Sequence, residues 1–139
     1  MSTELSENQL TMLREALLEA YPDVWAIYLF GSFAKGQAWP SSDLDIALLL
    51  PPGETLHDKL SVVAKISSQV GHELDLVDIR QAGNVLRNAV LSDGKILHLS
   101  EPAKTLEWEA ISMTDYADYC TATRAIREDF DKTGIGYAS

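Results

Sequence analysis

Gly31 and Ser32 close one apolar run, and after ten intervening residues Asp43 and Asp45 open another, in the stretch LFGSFAKGQAWPSSDLDIALLL of residues 29–50. Side chains on a strand alternate, so Asp43 and Asp45 project from one face while Leu44 and Ile46 go to the other. Two carboxylates held a few ångströms apart repel each other, and one of them should have a raised pKa. A divalent cation removes that conflict, and hard, oxygen-seeking Mg²⁺ binds through one or two carboxylates together with phosphate and water oxygens. Gly31 and Ser32 supply the complementary half. Glycine lets backbone come close to an anion, and a strand-to-helix turn at this point would direct free amides and the Ser32 hydroxyl at phosphate.

A third carboxylate would complete such a site, and Asp75 in HELDLVDI is the best placed. It lies inside a strand between Leu74 and Leu76, where a charge is costly unless a metal or partner compensates it. Glu73 on the same face and Asp78 on the opposite one are the alternatives. Lys35 reads equally well as a phosphate contact and as a solvated loop charge. Trp39 could stack on a base or pack under a partner, but anchoring the loop to its own domain is the favoured role.

The elements that must position these residues follow from the pattern. Leu10, Leu13, Leu17 and Ala20 recur at helical spacing between Ser6 and Tyr21, and Pro22 ends that helix. Val24 to Phe30 is apolar throughout and predicts a strand covered on both faces. Asp43–Leu50, His72–Ile79 and Lys95–Leu99 predict three more strands. Helices are predicted over 55–70, with Leu56, Leu60, Val63, Ala64 and Ser67 on one face, over 82–92, and over about 101–131. This order gives an α/β (α+β) domain with a small mixed sheet, flanking helices and a C-terminal helical segment.

The chain has 139 residues, enough for one core, so residues 1–139 read as one domain. Eleven Lys and Arg against 21 Asp and Glu give a net charge of −10, which provides no basic stripe for phosphate backbones. Stable nucleic-acid binding is therefore not expected, whereas a basic protein partner is favoured. No apolar run is long enough to span a bilayer, the amino terminus has no apolar signal core, and Cys120 is alone, so a cytoplasmic protein is expected. His57, His72 and His98 show no metal-ligand spacing, and Cys120 reads as a buried structural thiol. Trp108, Ile111, Met113, Tyr116, Tyr119, Ile126 and Phe130 do not form one narrow stripe. Core packing is the first reading for them; surplus aromatic surface for a protein interface is the second. The last residues, DKTGIGYAS, read as a frayed end.

Gly-Ser, ten residues, then Asp-x-Asp resembles the signature of the DNA polymerase beta-like nucleotidyltransferase superfamily, and residues 8–100 carry the resemblance. Lys35 stands where many members have arginine, which keeps the charge but loses the planar fork. Ser42 matches the serine that often precedes the first aspartate. The chain is similar to minimal nucleotidyltransferases, which lack large substrate-binding domains. That resemblance implies a nucleotidyltransferase fold, ATP as substrate and Mg²⁺ held by Asp43, Asp45 and Asp75 as the catalytic residues. It also implies nucleotide contacts from Gly31, Ser32, Lys35 and Ser42. Members of the subgroup are commonly antitoxins of HEPN-domain ribonuclease toxins, and the resemblance implies AMP transfer to a toxin hydroxyl, with tyrosine as the expected acceptor. Transfer to a small molecule such as an aminoglycoside, and neutralisation by binding alone, are the rival expectations.

Overall fold

The computed structural model describes residues 3–133, with side chains placed as far as Arg124. The side chains of Ile126 and Phe130, and residues 134–139 of the expected frayed end, lie outside what is described, whereas 131–133 belong to the last helix. The elements are α1 (Glu7–Ala20), β1 (Ala26–Phe30), β2 (Leu44–Leu49), α2 (Lys59–Val70), β3 (Leu74–Asp78), a 3₁₀ turn (Ile79–Gln81), α3 (Asn84–Asp93), β4 (Lys95–Leu99) and α4 (Pro102–Thr133). The sheet is mixed, in the order β3-β2-β1-β4. β1 runs antiparallel to β2 and β4, whereas β2 and β3 are parallel, with α2 as the crossover between them.

Both sheet faces are covered, which is why β1 shows no polar alternation. Leu44, Ile46 and Leu48 of β2, with Ile27, Leu29, Leu74 and Leu76, pack on one face against Leu13 and Leu17 of α1 and Ile66 and Val70 of α2. Ala26, Tyr28, Ala47 and Leu49 occupy the other face with Ile79, Val90 and Trp108. α1 starts where the sequence indicated. Ser6 accepts from the Gln9 N–H at 3.1 Å, and the Gln9 side chain accepts from the Ser6 N–H at 2.8 Å, a reciprocal cap that satisfies two otherwise free donors.

The face assigned to the second helix is corrected. Leu60 is 86% exposed, and the buried side is Ile66 and Val70 with Val62 and Val63 beside them. The helix begins only at Lys59, after Asp58 adopts a left-handed conformation (φ 52°), so Leu56 precedes it and Leu60 lies in its open first turn. The 62/63, 66, 70 stripe has the helical period. Ser67 accepts the Leu74 N–H at 2.9 Å and so fixes the approach to β3.

α4 is held across the second face. The Tyr28 hydroxyl donates to Glu109 at 2.8 Å, and burial, reinforced by Glu109, pushes its pKa well above the ordinary tyrosine range. Thr105 and Ser112 are buried on the same side of the helix, while Leu106, Ile111 and Met113 are exposed. α4 is thus part core and part surface. Among the described residues, no helix is long and apolar enough to cross a membrane.

Candidate active site

Parallel pairing of β2 and β3 sets the register Leu44 with Leu74, Asp45 with Asp75 and Ile46 with Leu76. The Leu44 N–H donates to the Glu73 carbonyl at 2.8 Å, which locks the entry to both strands. Asp45 therefore has Asp75 as its neighbour on one side and Phe30 on the other, all on one face. Asp43 precedes β2 by one residue and is exposed, as are Asp75 and Glu73. Asp78 is different. It pairs with Leu48 at the far end of the strands, and its carboxylate accepts the Arg80 N–H at 3.1 Å, so it caps the 3₁₀ turn away from this cluster.

Burial, then the charges of Asp75 and Asp43, and last a hydrogen bond to Asp75 push the Asp45 carboxyl up to about 6. This is the electrostatic conflict expected of carboxylates gathered without a counter-charge. Among the described residues, no three His, Cys, Asp or Glu side chains are already drawn together as a cation cage. The set consists of hard carboxylate oxygens and is open to solvent on the Asp43 side. It fits a cation whose remaining ligands come from phosphate and water, as Mg²⁺ prefers.

Gly31 lies against this cluster. A Cβ placed on it would overlap Oδ2 of Asp45 and sit 3.0 Å from its Cγ, and its φ of +72° disfavours any other residue. No helix follows, contrary to the expected strand-to-helix turn. Residues 31–36 form turns in which the Ala34 and Lys35 N–H groups donate to Gly31 O at 3.1 and 3.2 Å and Gln37 N–H donates to Ser32 O at 2.9 Å. The first amides of such a turn have no partner within it, as at the start of a helix.

Lys35 extends to Asp93 at the end of α3, 3.9 Å away, with both side chains half-exposed. Ser42 also turns elsewhere, since its hydroxyl accepts the Trp39 N–H at 2.7 Å. Trp39 does not anchor the loop; it is 59% exposed. The loop is instead pinned by Phe33, Ala34 and Ala38, which are buried in the first core. Phe33 meets His72 edge-to-face, with ring centroids 4.9 Å apart, and ties the phosphate-type turn to the strand that carries Asp75. That contact joins residues distant in sequence, so spacing gave no sign of it. On α4, Tyr119 is 45% exposed and lies beside a half-buried Tyr116, ring centroids 6.2 Å apart. Cys120 is free and half-buried.

The geometry of a Gly-Ser turn abutting paired carboxylates on β2 and β3 agrees with the family comparison, in which the profile described as "Polymerase beta, Nucleotidyltransferase" matches residues 15–102. The chain belongs to the polymerase beta nucleotidyltransferase family. This nucleotidyltransferase is 36% identical over 96 residues to the protein adenylyltransferase MntA of Shewanella oneidensis, covering 68% of the chain and 66% of that relative, just under two thirds of its length. Among solved structures, a toxin–antitoxin complex with AMP-PNP superposes with a TM-score of 0.74 at 30% identity, covering 86% of this nucleotidyltransferase and 96% of the matched chain. A complex of the tri-AMPylated Shewanella oneidensis HEPN toxin with its MNT antitoxin gives 0.70 at 27% identity, covering 88% and 96%.

Proposed function

We propose that this nucleotidyltransferase is a protein adenylyltransferase and antitoxin, which moves AMP from ATP onto a tyrosine hydroxyl of a HEPN-domain ribonuclease toxin and so silences it. The observation that carries the reading is the in-register pair Asp45 and Asp75, with Gly31 packed on Asp45 and Asp43 two residues away along the same face. Similarity to a protein adenylyltransferase and to antitoxin chains in complexes with a HEPN toxin supports the acceptor class.

Asp43 and Asp45 would hold Mg²⁺, with Asp75 contributing on the acceptor side. Magnesium, when bound, would supply the positive charge that neutralises the triphosphate and polarises its α-phosphorus. Backbone amides at the Gly31–Ser32 turn and the Ser32 hydroxyl would fix the β and γ phosphates. Asp75 accepts the proton of the incoming hydroxyl and aims its oxygen at the α-phosphorus. The new oxygen–phosphorus bond forms as the bond to the bridging oxygen breaks, and pyrophosphate leaves. Such catalysis rests on positioning and charge neutralisation. We assign the reaction to the cytoplasm, where ATP is at hand and a lone thiol such as Cys120 stays reduced.

The deciding experiment incubates the purified chain with labelled ATP, Mg²⁺ and the product of the adjacent gene. Label on that protein, lost in the D43N/D45N double variant, is the outcome the proposal requires. Label on a small molecule instead, or tight inhibition of the toxin with no label anywhere, would replace it with one of the two rivals.

A further inference from the structure

Three tryptophans occur in the sequence, and two are accounted for by packing. Trp25 lies under Arg80 and Lys104, 5.1 and 5.6 Å from its ring centroid, and Trp108 packs against the second core. Trp39 is 59% exposed. A loose loop does not explain this exposure. Ala38 is fully buried, and its carbonyl accepts the Thr3 N–H at 2.7 Å. Trp39 N–H donates to the Ser42 hydroxyl at 2.7 Å, Ser42 N–H returns a bond to Trp39 O at 2.9 Å, and Pro40 between them has a fixed φ. The indole is thus held out on a closed turn that ends directly against Asp43.

A large aromatic side chain kept in water on a rigid backbone loses little freedom when it is covered and gains much from desolvation. That combination marks the dominant contacts of protein interfaces. The position argues against the nucleobase as its occupant. The loop is bonded to the Gly31–Ser32 turn through the Gln37 N–H and Ser32 O, so on the reading above, in which that turn holds the β and γ phosphates, Trp39 is carried by the phosphate side of the site. A protein surface, unlike a small molecule, is broad enough to cover this indole and reach the carboxylates together. Asp43 follows the turn and is exposed, Glu73 and Asp75 are exposed at the start of the strand that pairs with β2, and the chain's net charge is −10, so the covering surface should be basic.

We propose that Trp39 is the anchor for the protein acceptor, its indole face receiving an arginine or lysine of a basic toxin surface while the acceptor hydroxyl enters at the carboxylates. Ser42 is then a positioning residue, its hydroxyl spent on presenting the indole. This inference rests on the protein-acceptor reading above.

The test uses the full chain and the product of the adjacent gene, with equilibrium binding in the absence of nucleotide measured alongside AMP-transfer kinetics. Trp39→Ala should raise the acceptor Kd and KM by ~10-fold or more. It should leave kcat and the KM for ATP within about twofold. Trp39→Phe should recover most of the loss, and Ser42→Ala should shift acceptor KM in the same direction by less. Unchanged acceptor binding in Trp39→Ala overturns the proposal, as does an effect confined to the KM for ATP, which would make the indole a nucleobase platform. If the parent binds the acceptor but transfers nothing, the catalytic reading fails while the Trp39 effect on Kd still decides this one. If the parent neither binds nor modifies it, both fall.

Discussion

Gly31→Ala tests the close approach on which the site depends. Two costs are expected. Moving a residue with a Cβ to φ +72° costs about 1–2 kcal/mol. The new methyl also overlaps Oδ2 of Asp45, which must turn away, and crowds Cγ at 3.0 Å and Cβ at 3.3 Å of a residue whose backbone is held between β1 and β3. Overpacking of that kind costs about 1–3 kcal/mol. If Asp45 is first cut to alanine, only its Cβ remains, 3.3 Å from the added methyl, and the second cost largely disappears. The four proteins of the cycle, compared by urea unfolding at pH 8 without divalent metal, should give a coupling of about 1–3 kcal/mol between the two positions. Gly31→Ala should also lower AMP transfer by ~100-fold or more although it removes no carboxylate, because the phosphate turn and Asp45 can no longer share their space. Equal destabilisation by Gly31→Ala in both backgrounds, a coupling under about 0.5 kcal/mol, would refute the contact.

Three other outcomes are expected. Asp45 has its pKa raised from 3.8 to about 6 in the folded chain, so its favourable contribution is complete below pH 4 and is lost as pH rises through 6. A shift of this size corresponds to about 3 kcal/mol, reduced to about 1 kcal/mol because Asp45 is only partly buried and water screens it. Metal-free Asp45→Asn should therefore match the parent in Tm near pH 4 and exceed it by roughly 3–6 °C at pH 7.5, with Mg²⁺ closing the gap; a constant offset across that range would remove the charge-repulsion account. Asp75→Asn should bind ATP with Mg²⁺ almost as the parent does while single-turnover transfer falls by ~100-fold or more, and normal transfer by this variant with an inactive Glu73→Gln would move the third carboxylate. Tyr28→Phe should lower stability by about 1–2 kcal/mol through loss of the bond to Glu109. Spectrophotometric titration of the parent should show late-ionising tyrosine, to which Tyr28 and the buried Tyr21 both contribute, and Tyr28→Phe should reduce that late amplitude by one tyrosine.

By itself the sequence determined what local rules encode. Apolar runs, alternation and helical spacing indicated four strands and the helices, β1 by an unbroken apolar run and β4 at its observed bounds. Ser6 lay at the expected start of the first helix, and the spacing of Gly31, Ser32, Asp43 and Asp45 along one short segment pointed to the family and to the phosphate and metal chemistry proposed above. Strand alternation also separated Asp75 and Glu73 from Asp78. Long-range pairing decided the rest. Whether Asp75 stands beside Asp45 depends on β3 running parallel to β2 in one register, and a slip by a single residue would have turned its carboxylate to the opposite face. The helix surface at Ile66 and Val70 depended on where the chain reverses at Asp58, which apolar spacing does not encode. Ser42 and Lys35 carry donors and charge suited to phosphate, yet the folded loop gives Ser42 to Trp39 and Lys35 to Asp93. Phe33, Ala34 and Ala38 pin the loop to the core, and Trp39 on the same loop is left exposed. Residue type and spacing fix which bonds a side chain is able to make; only the packed chain fixes which partner is within reach.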